Sequence, residues 1–240
     1  RKCRFSVLST FCKLKIKNMK YKILNLYACL GGNRLKWDEV AKEAGIEIEV
    51  TAVEWDEELA KLYKERFPND IVIISDAHQY LLEHFKEFDF IWSSPPCPSH
   101  SKARYWAFGK NGKMPIYADM SLYQEIILLK YHYYGNWIIE NVNPYYEPMF
   151  NPQVRDRHTY WCNFKLPNTL SLRNDTALVQ ASRIQDLCDF HDYDFRKYKG
   201  NQRMLKIARN LVDFEAGKTI FATALGIQMQ QNKKQGELFI

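Results

Sequence analysis

From residue 19 onward, short apolar runs alternate with amphipathic stretches. The runs at 23–27, 48–54, 71–74, 88–92 and 137–139 read as strands, and their unbroken apolar character predicts burial on both faces. Between them, residues 35–44, 57–67 and 78–85 carry helical periodicity. From 119 to 134 the apolar residues Tyr123, Ile126, Ile127, Tyr131 and Tyr134 fall three and four apart where they face one side, which predicts a further helix. Strand, helix, strand, helix predicts an α/β fold with a doubly wound, mostly parallel sheet.

Residues 165–204 break this pattern. They lack clear periodicity and interleave Phe190, Tyr193, Phe195 and Tyr198 with seven basic and five acidic residues, which reads as a small inserted subdomain. A last helix is predicted at about 213–225. The expected organisation is a leader at 1–18, an α/β domain at 19–164, the small region at 165–204, a closing segment at 205–228 and a tail at 229–240.

Composition changes this picture little. With 240 residues, 46% hydrophobic and 26% charged, the chain fits one mid-sized globular domain, and no apolar run is long enough to predict a membrane span. The net charge of +6 is more informative once it is located. Arg1, Lys2, Arg4, Lys13, Lys15 and Lys17 precede Met19 without any acid, and the remaining 28 basic residues balance 28 acidic ones. Global charge therefore says nothing about what the main domain binds, and the leader is read as lying ahead of a start at Met19. Six cysteines without a Cys-x-x-Cys pair predict neither a zinc site nor a disulfide framework, and fit a reducing, cytoplasmic setting.

In a parallel sheet, ligands collect at the carboxyl ends of the strands. Those ends carry, in chain order, the turn Tyr27, Ala28, Cys29, Leu30, Gly31 and Gly32; then Glu54 and Trp55; then Asp76 and Ala77; then Ser93 to Cys97 with Pro95; then Glu140 to Val142. Each is ordinary alone: a glycine pair is usually a turn, Asp76 a helix cap, Cys97 a small buried hydrophobe.

Taken together, they resemble the carbon-5 cytosine methyltransferases that depend on S-adenosylmethionine. LNLYACLGG at 24–32 resembles the family's first motif, and PPC at 95–97, with Ser101 following, its nucleophile motif. ENV at 140–142 matches the third signature, Arg155-Asp-Arg157 matches Arg-x-Arg, and RNLV at 209–212, with Asn210, resembles the closing element. The resemblance runs from about 21 to 220 and implies a class I, Rossmann-like methyltransferase fold with S-adenosylmethionine as cofactor. It further implies Cys97 as the nucleophile that adds to carbon 6, Glu140 as the partner of the ring nitrogen and amine, and Arg155 and Arg157 as holders of the base. The implied cofactor contacts are Tyr27, Ala28, Cys29, Leu30, Gly31, Gly32, Glu54, Trp55, Asp76, Ala77, Pro95 and Asn210.

The implied partner is double-stranded DNA whose cytosine is flipped out of the stack, in a bacterial or phage-infected cell. The acid-free stretch after Cys97, carrying Ser101, Lys102, Arg104, Lys110 and Lys113 beside Gly109 and Gly112, reads as a basic lid over phosphates. Arg173, Arg183, Arg196 and Arg203 in the small region read as base or phosphate contacts. At 235–239, from Gln235 to Phe239, the tail resembles a sliding-clamp docking peptide. Three positions depart from the family: Asn25 for Asp, Cys29 for Gly and Arg209 for Gly. They leave open a catalytically impaired DNA-binding relative, or a carboxylated donor, carboxy-S-adenosylmethionine, paired with Arg209. Transfer RNA is the alternative substrate. An amino-group methyltransferase is disfavoured by Cys97 together with Glu140 and Arg155-Asp-Arg157.

Overall fold

A computed structural model describes residues 20–106, 114, 116–173 and 183–227. Its strands are β1 (Tyr21–Leu26), β2 (Ile48–Glu54), β3 (Ile71–Ile74), β4 (Phe90–Ser93), β5 (Asn136–Val142), β6 (Gln153–Arg155) and β7 (His158–Cys162). Among the described residues they form one sheet in the order β3-β2-β1-β4-β5-β7-β6. The first five run parallel, and β7 pairs antiparallel with both β5 and β6. This is the doubly wound, mostly parallel, Rossmann-like sheet expected from the sequence.

The helices are α1 (Trp37–Ala44), α2 (Glu57–Arg66), α3 (Ala77–His84), α4 (Lys102–Trp106), α5 (Ser121–His132), α6 (Ile184–His191), α7 (Met204–Asn210) and α8 (Phe214–Ala224). Alternation along the strands explains how they pack. Ile23, Val50, Phe90, Trp92, Ile138 and Tyr160 face one side and meet Trp37 and Val40 of α1 and Ile220 and Phe221 of α8. Leu24, Leu26, Val53, Ile91, Ile139 and Trp161 face the other and meet Leu81 of α3 and Leu122, Ile126 and Leu129 of α5. Both faces of the central strands are thus removed from water, as their apolar runs require.

Two predicted features come out differently. Strand β3 is an edge strand, so Ile71 and Ile74 remain exposed instead of buried on both sides. In α5 the buried side is Leu122, Tyr123, Glu125, Ile126 and Leu129, while Ile127, Tyr131 and the following Tyr134 face solvent. The apolar spacing marked a helix but not which stripe packs, because a carboxylate, Glu125, occupies the buried one.

In the region without periodicity, Leu166 and Leu170 join the first core, and residues 184–198 pack in a third. Leu187, Cys188, Phe195, Tyr198, Ile207, Ala208 and Leu211 pack on Leu59 and Leu62 of α2 and on Leu30 of the β1 turn. Hydrogen bonds seal the contact: Asp56, the N-cap of α2, accepts from the Tyr198 hydroxyl and from Gln202 Nε2, each at 2.8 Å. Residues 184–211 therefore sit beside the carboxyl ends of β1 and β2. No helix among the described residues is long and apolar enough to cross a membrane.

Candidate active site

The chain leaves β1 through a turn that L residues rarely form. Tyr27 (φ +55°), Cys29 (φ +48°) and Gly31 (φ +66°) all have left-handed backbones. Cys29 thus stands in the conformation glycine takes most readily, and holds it through its amide, which donates to Glu54 Oε2 at 2.8 Å. Glycine is required three residues on, since a Cβ at Gly32 would collide with the carbonyl oxygen of Val212 in the closing segment.

A buried ion cluster anchors the turn. Arg34 donates through Nε and Nη2 to both Asp70 oxygens at 3.0 Å and through Nη1 to Asp38 Oδ2 at 2.8 Å, while the Tyr63 hydroxyl donates to Asp70 Oδ2 at 2.9 Å. Arg34 and Asp70 are almost fully removed from solvent. On the far side of the turn the Tyr27 hydroxyl donates to Glu125 Oε1 at 2.7 Å, and that buried carboxylate also takes the Ser93 hydroxyl and faces His78 Nδ1 at 3.0 Å. Glu54 closes this end. Its carboxylate is shared between the Cys29 and Asp56 amides, and burial still pushes its pKa up despite those two donors.

At the other end, the loop after β4 carries Cys97. It is pinned to the β5 side three times: Asn141 Nδ2 donates to the Pro95 carbonyl at 3.0 Å, Ser101 bridges to Pro144, and the Tyr145 amide donates to the His100 carbonyl at 3.1 Å. Asn141 thereby ties the Pro-Pro-Cys loop to the strand that carries Glu140. Cys97 is half-buried; burial and the neighbouring Glu140 carboxylate raise its thiol pKa, while Lys206 and Arg157 pull it down.

One cavity of about 400 Å³ joins the two ends. Of the residues expected from the sequence, it brings together Tyr27, Ala28, Cys29, Gly32, Glu54, Trp55, Pro95, Cys97, Glu140, Arg157 and Asn210. Four expected cofactor contacts lie off its wall. Leu30 is buried in the third core, Gly31 abuts the rings of Tyr63 and Phe67, Asp76 caps α3 by accepting from the Gln79 amide, and Ala77 packs in the sheet core.

Arg155 is a correction. Its guanidinium donates to the carbonyls of Pro167, Leu166 and Val154, so it staples β6 to the following segment and leaves the wall to Arg157. Asp156, at φ +51°, makes the tight turn that separates the two arginines. Arg173 is a second correction. It is stacked between Phe190 and Phe214, paired with Asp213 Oδ1 at 2.7 Å and bonded to the Phe190 carbonyl, so its charge is used inside the fold.

Arg183 and Arg196 are exposed, each beside its own acid, Asp186 and Asp194; Arg203 is exposed at the start of α7, and Lys102 is exposed on α4. The Arg104 side chain, Lys110, Lys113 and the segment 235–239 lie outside the described residues, as does the leader 1–18. The sequence reading missed His158, Lys206, Gln202 and Asp213, which also line the cavity. His158 directly follows Arg157, and strand alternation would have exposed it had β7 been recognised.

A comparison with curated proteins finds no match. Among solved structures, a mutant DNMT2 of Spodoptera frugiperda is 26% identical over 51% of this chain and 36% of its own, with a TM-score of 0.35. A putative DNA modification methyltransferase encoded within an Escherichia coli prophage is 18% identical over 53% of this chain and 34% of its own (TM-score 0.34). A putative methyltransferase of Escherichia coli is 14% identical over 68% and 85% (TM-score 0.35). The chain thus spans about a third of the length of the first two. The family of C-5 cytosine-specific DNA methylases matches residues 21–144, just over half of the 240, a stretch that contains the β1 turn, Cys97 and Glu140. The chain belongs to that family.

Proposed function

We propose that the chain is an S-adenosylmethionine-dependent methyltransferase acting on carbon 5 of a cytosine in double-stranded DNA. The observation that carries this reading is the shared wall of Cys97, Glu140 and Arg157, with the nucleophile loop tied to the Glu140 strand by Asn141.

The β1–β2 end fits the donor. Trp55 offers a largely exposed ring beside the Glu54 carboxylate, as an adenosine requires. Two buried polar atoms of cavity-lining residues make no hydrogen bond, Asn25 Nδ2 and Asp213 Oδ2. One offers a proton and the other accepts one, which suits an amino-acid end carrying both carboxylate and ammonium. When bound, S-adenosylmethionine supplies an electrophilic methyl group. The turn takes its left-handed form at Cys29 without glycine, which supports the reading despite that departure from the family's motif.

At the other end the chain's own groups act on the base. The Cys97 thiolate adds to carbon 6 and makes carbon 5 nucleophilic; Arg157 and Lys206 favour that thiolate against burial and Glu140. Glu140 bonds the ring nitrogen and amine as charge develops, and Arg157 meets the carbonyl. Loss of the carbon-5 proton and expulsion of Cys97 then complete the exchange. The small surface formed by 183–211, with Arg183, Arg196 and Arg203 exposed, would face the flanking strand.

The test is incubation with labelled S-adenosylmethionine and, separately, duplex DNA and tRNA, followed by nucleoside mass spectrometry. 5-Methylcytosine in the DNA arm is the expected result; label in tRNA alone would move the substrate, and label in neither would overturn the reading. A carboxylated donor in a parallel tube reports on Arg209 directly.

A further inference from the structure

We infer that His158 holds the proton that Glu140 delivers to the cytosine ring, so that the pair, rather than the carboxyl group alone, sets the pH range of base activation. The inference rests on the proposed reading of Cys97 and Glu140, and adds to it a residue that acts through Glu140 and not on the base.

Three observations carry it. In the antiparallel ladder between β5 and β7, Glu140 lies opposite Tyr160 and Val142 opposite His158. Side chains alternate along strands, so Glu140 and His158 are diagonal neighbours on the same face of the sheet. His158 Nε2 lies 3.6 Å from Glu140 Oε1, where a modest turn of either side chain makes a hydrogen bond. Both residues line the cavity, Glu140 almost buried and His158 partly open to solvent, so the histidine can exchange protons with water and the carboxylate much less readily.

The surroundings make such a pair useful. Around it stand Cys97 from the β4 loop, Arg157 from the β6–β7 turn, Tyr160 on β7, and Lys206 and Arg209 from α7. Two opposing demands meet there. Cys97 must be a thiolate, which higher pH favours, whereas the ring nitrogen must receive a proton as the thiolate adds, which lower pH favours. An isolated carboxyl group, with an ordinary pKa near about 4.3, is mostly deprotonated where a thiolate is plentiful. A carboxylate–imidazolium pair keeps one proton available to considerably higher pH.

The step balances. As the Cys97 thiolate bonds carbon 6, the His158 imidazolium passes its one proton to the Glu140 carboxylate, which hands it on to the ring nitrogen, leaving a neutral imidazole beside a carboxylate. When the carbon-5 proton leaves to water and the thiolate is expelled, the ring nitrogen returns its proton to the pair.

The experiment is single-turnover formation of the covalent adduct on 5-fluorocytosine duplex DNA, from about pH 5.5 to about pH 8.5, with the whole chain and with His158→Gln. Glutamine keeps polarity and volume but cannot titrate. The variant is expected to be slower by about tenfold at the alkaline end and nearly equal at the acid end, within the range for loss of a proton-transfer contribution. A ratio constant across pH, whether large or near one, would mark His158 as structural or idle and overturns the inference. No adduct with the unaltered chain overturns the underlying reading instead. A measurement independent of activity is the NMR signal of the His158 ring in the unaltered chain and in Glu140→Gln. Removing the carboxylate 3.6 Å away is expected to perturb the ring resonances, and unperturbed resonances also overturn the pairing.

Discussion

At its β1–β2 end the cavity is walled by backbone: a left-handed turn, the amides of Cys29 and Asp56 spent on Glu54, and glycine where the closing segment presses in. At its β4–β5–β7 end it is walled by charged and nucleophilic side chains, Cys97, Glu140, Arg157, His158 and Lys206, brought together by strand register and by Asn141. The first end tolerates a changed side chain if the backbone shape survives, which is how Cys29 can replace the glycine of the resembled motif. The second end admits no such exchange if the proposed function is right, because that function lies in the atoms beyond Cβ. Substitutions at the two ends should accordingly fail in different ways.

The largest effects belong to the second end. Cys97→Ala should abolish turnover and the 5-fluorocytosine adduct while leaving donor binding, measured by calorimetry, within a few-fold. Glu140→Gln should cost about 10²–10⁴-fold in single-turnover rate, the size of a proton-transfer contribution. If Cys97→Ala also lost the donor, the two ends would not be separable as described.

Next comes the anchor of the first end. Arg34→Met leaves Asp70 buried without its cation, beside a Tyr63 hydroxyl that cannot neutralise it. Breaking a buried pair from one side costs about 3–5 kcal/mol, so urea unfolding should show a marked fall in stability. Donor affinity per folded molecule should fall with it, because the turn that Arg34 braces is the proposed donor wall. A variant unfolding at the unaltered urea concentration would contradict this assignment.

The two arginines of one motif sharpen the contrast further. Arg155→Ala removes three donors to carbonyls of the β6 segment and should destabilise by about 1–3 kcal/mol, with turnover kept in the molecules that remain folded. Arg157→Ala should slow adduct formation and shift its rise to higher pH, because one of the cations favouring the Cys97 thiolate is gone. The reverse pattern would exchange their roles.

These two residues also mark how far the sequence could be read. Strands β1 to β5 were legible because their apolar runs are continuous, with both faces buried in all but the edge strand β3. Strands β6 and β7 were not: three and five residues long, they mix Arg, His and Thr among their apolar positions. Without them Arg155 and Arg157 look equivalent, and only the left-handed turn at Asp156 sends them apart. The same blind spot hid His158. Helices α6 and α7 are eight and seven residues long and pack on α2, not on the sheet, so their periodicity was too short to register. Cys97 and Glu140 were readable because each sits at the end of a strand that was. Arg173 was misjudged because nothing local distinguishes an arginine stacked between two phenylalanines from one reaching for a phosphate.

The first end also offers a smaller test, in the carboxylate behind Tyr27. Glu125 is fully buried and faces His78, whose pKa is raised chiefly by its hydrogen bond to that carboxylate, against the opposing pull of partial burial. A histidine with a raised folded-state pKa adds stability in full below its unfolded value and loses it as pH climbs through the folded one. The stability gap between the unaltered chain and His78→Gln, from urea midpoints, should therefore be widest near about pH 5.5 and close toward about pH 8.5. The Tyr27 and Ser93 hydroxyls still satisfy Glu125 in the variant, so the fold should persist at every pH. A gap that widened with pH would mean that neutral His78 is the stabilising form, and that the buried carboxylate is held by the two hydroxyls alone.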